Sequence, residues 1–178
     1  MRLALFNESD MGPVVALFQR VFSDAEGEAE GQVIADFVKD LISTTPPSAV
    51  IGFTAWEGDA VVGGIFFSQL IVPSGQRAFI LSPVAVSTNV QGRGIGQALI
   101  RYGLDHLKSL GVELVFTYGD PGYYSKVGFE QITEAIVKAP CPLSQPIGWL
   151  AQSLDGGAVP AMSGPTRCVE ALNDPELW

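Results

Sequence analysis

Gln91-Gly92-Arg93-Gly94-Ile95-Gly96-Gln97 packs three glycines and an arginine into seven residues, between an apolar run and a helical pattern. The chemistry of such a stretch is anion binding. The first N–H groups of a helix lack an intrahelical acceptor, and the helix dipole favours negative charge there. Glycine lets a phosphate reach those amides with no Cβ in between. Three phosphate loops compete. A P-loop needs Lys then Ser or Thr after its last glycine, whereas Gln97-Ala98 follows Gly96. A dinucleotide fingerprint needs Gly-x-Gly-x-x-Gly, and Gln97 or Leu99 stands where the third glycine belongs. The third pattern, Gln/Arg-x-x-Gly-x-Gly/Ala, is filled by Gln91 to Gly96.

A second chemical candidate lies downstream. Asp120-Pro121 opens a short helix, with Asp as N-cap and Pro at the first position, and it carries Tyr123 and Tyr124. A phenol donates a proton when held at hydrogen-bond range; the same residues read equally well as packed aromatics. His106 falls near the apolar face of a helix and reads as packed. Cys141 and Cys168 lack a base at readable spacing, so neither is a nucleophile candidate.

Certain elements must position these groups. Ala78 to Val86 is an apolar run that reads as a strand buried on both faces. Ile95, Leu99, Tyr102, Gly103, His106 and Leu107 then recur at helical spacing, with Gly111 as the C′ cap. Glu113 to Tyr118 is a second apolar strand, and the helix between the two makes them parallel with a right-handed crossover. Upstream, Met1 to Phe6 reads as a strand, and Asn7 as the N-cap of a helix carrying Val14, Leu17, Phe18 and Val21. Ser23 to Gly31 reads as an acidic loop, followed by a helix with Val33, Ile34, Phe37, Val38 and Leu41 that ends at Thr44-Thr45-Pro46-Pro47. Ala49 to Trp56 and Ala60 to Ile71 form a hairpin, and Gly63-Gly64 within it marks a bulge or a close backbone approach. Gly128-Phe129 stops the tyrosine helix, Glu130 to Val137 reads as a strand, and Ile147 to Leu154 as a last one.

Composition narrows the function. The chain has 178 residues, enough for one domain with a sizeable core. Nineteen acidic against ten basic residues give a net charge of −9, which argues against nucleic acid as a partner. One histidine and two cysteines make no structural zinc site. No apolar run approaches the roughly 20 residues of a membrane helix and no signal peptide is read, so the expected setting is cytoplasmic.

Taken together, Val86-Ser87-Thr88-Asn89-Val90-Gln91, the glycine loop and Tyr124-Ser125-Lys126-Val127-Gly128-Phe129 resemble the GCN5-related N-acetyltransferases, the GNAT family. Gly119-Asp120-Pro121 with Tyr123-Tyr124 looks like a bacterial subgroup of predicted N-acetyltransferases. The resemblance implies an α/β GNAT fold: a mixed, twisted sheet with helices on both sides and splayed parallel core strands. It implies one domain over 1–178, with the core at 1–137 and a C-terminal strand and extension at 138–178. It further implies acetyl-CoA as co-substrate, with no metal, and a primary amine on a small molecule or a peptide as acceptor. Oligomeric state is open, with a homodimer among the options.

By residue, the resemblance places the CoA pyrophosphate on Gln91, Gly92, Arg93, Gly94, Ile95, Gly96 and Gln97. It lays the pantetheine arm along Ala85 and Val86, with the Val86 N–H facing the thioester oxygen, where charge grows as the amine attacks. Tyr124 stands where the family has its general acid, opposite a leaving thiol of pKa about 8.5. Thr88 replaces the usual proline. The carboxylate that many members carry on a core strand is missing, since no acid lies between Gln76 and Gln97. Glu26, Glu28, Glu30 and Asp120 are the remaining candidates for the base. That gap supports one alternative, a CoA-binding regulatory module without catalysis. Acceptor contacts are expected from the Ser23–Gly31 segment, the hairpin and the residues after Ala139.

Overall fold

The computed structural model describes residues 1–178. Its strands are β1 (Arg2–Leu5), β2 (Val50–Glu57), β3 (Ala60–Ile71), β4 (Arg77–Val86), β5 (Leu114–Tyr118), β6 (Glu130–Gln131) and β7 (Trp149–Ser153). They make one mixed sheet in the order β1-β2-β3-β4-β5-β7-β6. The helices are α1 (Met11–Glu26), α2 (Glu28–Thr44), α3 (Ile95–Ser109) and α4 (Pro121–Tyr124). No helix is long and apolar enough to cross a membrane. Two compact units divide the chain: Met1–Phe67 with Pro83–Gly103, and Ser68–Ser82 with Leu104–Trp178.

In the first unit, β3 is covered on both faces. Adjacent residues of a strand point to opposite faces, and a Cβ at Gly64 would lie 3.1 Å from the Phe18 ring of α1. One at Gly63 would lie 3.3 Å from Leu99 of α3. The glycine pair is therefore a close approach. Phe18 stands 6.0 Å from Phe66, and Phe53 meets Phe67 edge-to-face at 5.8 Å, so aromatics fill both layers. Asn7 caps a 3-10 turn (Glu8–Asp10), its side chain accepting from Ser9 N–H at 3.1 Å, and α1 starts one residue beyond.

The expected loop from Ser23 to Gly31 is helical except at Gly27, whose φ of +101° turns α1 into α2. Packing decides against the loop. A Cβ at Gly31 would sit 1.9 Å from the Ser23 hydroxyl and 2.6 Å from the Gln19 carbonyl, so this glycine lets the two helices touch.

In the second unit, β4 and β5 pair in parallel, Ala78–Leu81 against Leu114–Thr117. The Arg77 N–H donates to the Glu113 carboxylate at 3.0 Å, and the Arg77 guanidinium donates to the Leu110 carbonyl. Gly111, at φ +83°, closes α3: its N–H reaches Lys108 O at 3.0 Å and the Val112 N–H reaches Leu107 O at 3.1 Å, a Schellman pair. β4 is buried on both faces only through Leu81; from Ser82 to Val86 half-buried and buried residues alternate.

The Glu130–Val137 strand is only Glu130–Gln131. Beyond it the chain turns, Ile136 N–H donating to Thr133 O at 2.9 Å, and the Ile136 carbonyl accepts from Met162 N–H at 2.8 Å. The last strand is shorter than expected but lies inside the sheet, because β7 pairs with both β5 and β6. Trp149 on β7 is fully buried, stacked 5.3 Å from Phe116, and Trp178 stacks 5.7 Å from Tyr118. Cys141 and Cys168 are free thiols.

Gly103, on the buried side of α3, tests this packing. A Cβ there would meet Phe67 at 2.6 Å and Phe53 at 3.1 Å. Gly103→Ala is expected to lower stability by about 1–3 kcal/mol despite alanine's better helix propensity. Urea unfolding at the wild-type midpoint contradicts the close approach.

Candidate functional site

The end of β4 and the start of α3 form one hydrogen-bonded piece within the first unit. Ser87 N–H donates to the Val62 carbonyl at 2.8 Å, which fixes the exit of β4 against β3. The Gln91 side-chain amide then reaches back to the Val86 carbonyl at 3.0 Å. Gln91 thus ties the loop to the strand end. Between them the Ser87 hydroxyl donates to Asn89 Oδ1 at 2.7 Å and the Thr88 hydroxyl to the Asp24 carboxylate at 2.8 Å. Thr88 therefore gains a tether to α1, a link invisible in a linear reading because 64 residues separate the partners.

Gly92 and Gly94 hold φ of +80° and +77°, with Arg93 on the ordinary side between them. Alternation of φ sign of this kind is what an anion nest requires of its backbone. A Cβ built at either glycine meets nothing within 4 Å, so conformation and an open approach, not crowding, call for glycine here. Residues 91–94 are exposed, whereas Ile95 and Gly96 are buried under α3's first turn, and Gln97 is half-buried. The Ala98 N–H is the first to find a helical acceptor, Gly94 O at 3.0 Å. The residues present therefore fit a phosphate group. Arg93 leans toward Glu57, 3.8 Å away, an exposed pair worth little to stability. Ala85 is buried and Val86 half-buried, both within β4. A hollow of about 320 Å³ lies elsewhere in this unit, lined by Phe6, Ile42, Thr45, Val50 and Phe66 among others, and includes no predicted site residue.

Tyr124 belongs to the second unit. The Asp120 carboxylate accepts from Gly122 N–H at 2.9 Å and starts α4 as expected, and Gly128 ends the following 3-10 turn at φ +95°. The Tyr124 ring meets Tyr123 edge-to-face at 5.0 Å and Phe129 at 5.9 Å. A Cβ on Gly119 would stand 2.7 Å from Tyr124 Cε2, so the ring lies against bare backbone. The Thr117 hydroxyl, two residues before Gly119, donates to the Leu81 carbonyl at 2.8 Å. Burial pushes the Tyr124 phenol pKa up to about 12, with Tyr123 and Asp120 adding to the rise. Tyr123 is raised by burial as well. Gly119 does not announce itself in the sequence, where it reads as the start of a turn.

Comparison with known proteins gives the family and the fold. The acetyltransferase (GNAT) family profile covers residues 13–129. The uncharacterized N-acetyltransferase YjhQ of Escherichia coli K12 is 32% identical over 143 residues, spanning 76% of this chain and 78% of YjhQ. The crystal structure of the Escherichia coli GNAT family N-acetyltransferase YhbS in complex with CoA superposes with a TM-score of 0.80 at 26% identity, covering 97% of this chain and 92% of YhbS. A Brucella melitensis GNAT family acetyltransferase in complex with acetyl-CoA shares the fold, with a TM-score of 0.72 at 23% identity over 96% of this chain and 98% of its own.

Since Asp120 carries the N-cap of the helix that presents Tyr124, Asp120→Ala is expected to cost about 1 kcal/mol. Chemical denaturation measures it directly, and an unchanged midpoint removes the capping role.

Proposed function

The chain belongs to the acetyltransferase (GNAT) family, and we propose that it transfers acetyl from acetyl-CoA to a primary amine by direct attack on the thioester. The observation that carries this reading is the nest at Gly92–Gly94, opening a helix directly behind the strand that ends at Val86. The likeness to a CoA complex at 26% identity supports it.

In this reading the amides from Gln91 to Gln97 hold the pyrophosphate, with Arg93 adding charge. An acidic chain gains most from such a local donor set, because its overall field repels a polyanion. Ala85 and Val86 offer the strand edge to the pantetheine arm, and the Val86 N–H faces the thioester oxygen. The amine lone pair forms the new C–N bond, the C–S bond breaks with its electron pair on sulfur, and the Tyr124 phenol gives that sulfur a proton. The ammonium proton leaves to a base. Gln91 has a second role beyond phosphate contact, since its hold on the Val86 carbonyl fixes the peptide that carries the oxyanion donor's neighbour. The acceptor is an amine on a small molecule or a peptide. The Gly-Asp-Pro-x-Tyr-Tyr block, Gly119 to Tyr124, is the reason to assign the chain to a bacterial subgroup of the family.

The decisive experiment measures thiol release from acetyl-CoA with a panel of amines. Release that depends on an added amine supports the transferase; CoA binding with no release for any amine supports the non-catalytic alternative. Tyr124→Phe is expected to lower kcat by about 10²-fold or more with CoA affinity unchanged. Unaltered turnover takes the acid role from Tyr124. Because its phenol pKa stands at about 12, Tyr124 stays protonated through pH 10. The rate should therefore rise with pH over 7–10 as the amine deprotonates, with no falling limb from this residue.

Gly94→Val forces a β-branched residue to φ +77°. Strain of about 1–3 kcal/mol should weaken CoA binding roughly tenfold or more. Native affinity by calorimetry overturns the phosphate-loop assignment.

A further inference from the structure

We propose that the hollow at the C-terminal end of α2 binds a primary ammonium carried on an apolar body, at a place separate from the phosphate loop. Its floor is aromatic. Phe6 and Phe66 meet edge-to-face at 5.2 Å. Both rest on bare backbone of β2, since a Cβ at Gly52 would fall 2.6 Å from Phe66 Cε1 and 2.8 Å from Phe6 Cβ. The Phe6 N–H donates to the Gly52 carbonyl at 2.8 Å, which holds this floor together. Ile42 and Val50 continue the apolar lining, and a volume of about 320 Å³ lies at the lower end of the range for small-molecule clefts.

The polar groups of the lining favour a cation. Glu8 is the one charged residue among them. The negative end of the α2 dipole lies here, and the last turn of that helix has no basic residue to offset it. Pro46 and Pro47 stand where the N–H donors for the Ile42 and Ser43 carbonyls would come, and neither has an N–H. Ile42 and Ser43 both line the hollow. Thr45, the C-cap of α2, is part of the same lining; it is 7% exposed and its hydroxyl has no partner. Buried hydroxyls are as a rule hydrogen-bonded. An ammonium brings donors and positive charge to this wall, and the aromatic floor attracts a cation further. A carboxylate or phosphate would meet like charge, and an uncharged apolar ligand would leave the carboxylate and the carbonyls unanswered.

The site is independent of the catalytic reading. β2 runs from Val50, in the lining, to Glu57 beside Arg93: eight residues, or about 23 Å at about 3.3 Å per residue. The exit of β4 is held at the Arg93 end, through the Ser87 N–H on the Val62 carbonyl near the start of β3. An amine resting on Phe6 and Phe66 therefore stays clear of the strand end at Val86. Loss of the transferase reading leaves this site standing, and the reverse holds as well.

The test follows the isoleucine methyl resonances of the protein during titration with 2-phenylethylammonium, its neutral counterpart 2-phenylethanol and the anion 3-phenylpropionate. The ammonium is expected to shift Ile42 and Ile51 saturably, with an affinity about tenfold above the alcohol and the anion weakest of the three. Saturating CoA should leave those shifts in place. Glu8 is exposed, so Glu8→Gln folds normally; it should weaken the ammonium about three- to fivefold and leave the alcohol unchanged. Ile42→Trp, which fills the hollow from its half-buried rim, should abolish the Ile51 shift. Equal affinity for ammonium and alcohol overturns the proposal, as does an ammonium affinity indifferent to Glu8→Gln. Shifts confined to residues outside the lining, or abolished by CoA, place the amine elsewhere and overturn it too.

Discussion

The parallel pairing of β4 with β5 ends at Leu81 and Thr117, and much else in the chain depends on where it stops. β4 runs on for five residues to Val86. Pro83 stands two residues past the last pair and brings no N–H to a ladder. A proline in a central strand is otherwise a defect. Here it sits where β4 stops serving as a partner of β5. Thr117 occupies the last pair and spends its hydroxyl on the Leu81 carbonyl, so even the end of the ladder is hydrogen-bonded. The backbone beyond it is thereby available as an edge.

Past that edge lies a device made almost entirely of peptide groups. Side chains contribute by fixing backbone: Gln91 by its hold on Val86 O, Thr88 through Asp24, and Ser87 through Asn89. In the phosphate site proposed for this loop the attraction comes from helix-terminal amides rather than from a basic patch, which suits a chain of net charge −9. Amide dipoles act at contact range, so they bind an anion without altering the repulsion that the whole surface exerts at a distance. Arg93 is the one formal positive charge in the loop, and Glu57 partly offsets it.

The elements that the sequence discloses are those whose signals are local. Asp120-Pro121 is a cap and a first-turn proline, Gly111 and Gly128 take left-handed φ after a helix, and the Gln91–Gly96 spacing is a turn chemistry with few alternatives. Each is legible because a few neighbouring residues decide it. Ser23 to Gly31 misleads for the opposite reason. Four acidic residues and two glycines look solvated, but Glu28 and Glu30 lie in the first turn of α2, where the dipole favours them, and Gly31 is small for the sake of α1. That reason lies in another helix. The apolar residues Ile132, Ile136 and Val137 mimic a strand, yet part of their backbone hydrogen bonding comes from residue 162, far along the chain. The same limit hides Gly119, whose significance is a contact with a ring five residues away.

In the acid role proposed for it, the half-buried Tyr124 phenol is an awkward donor. With a pKa of about 12 against about 8.5 for a thiol, full transfer to a free thiolate runs uphill by more than three powers of ten. Such a group protonates sulfur effectively only while the C–S bond is breaking and the developing charge is not yet shared with solvent, so position matters more than acidity. Burial that raises the pKa also dries the site and strengthens each hydrogen bond within it. A phenol held against Gly119 and edge-on to Phe129 therefore trades intrinsic acid strength for fixed geometry. In the proposed acid role the tyrosine would not act alone; the glycine that makes room for its ring and the phenylalanine edge-on to it fix where it lies.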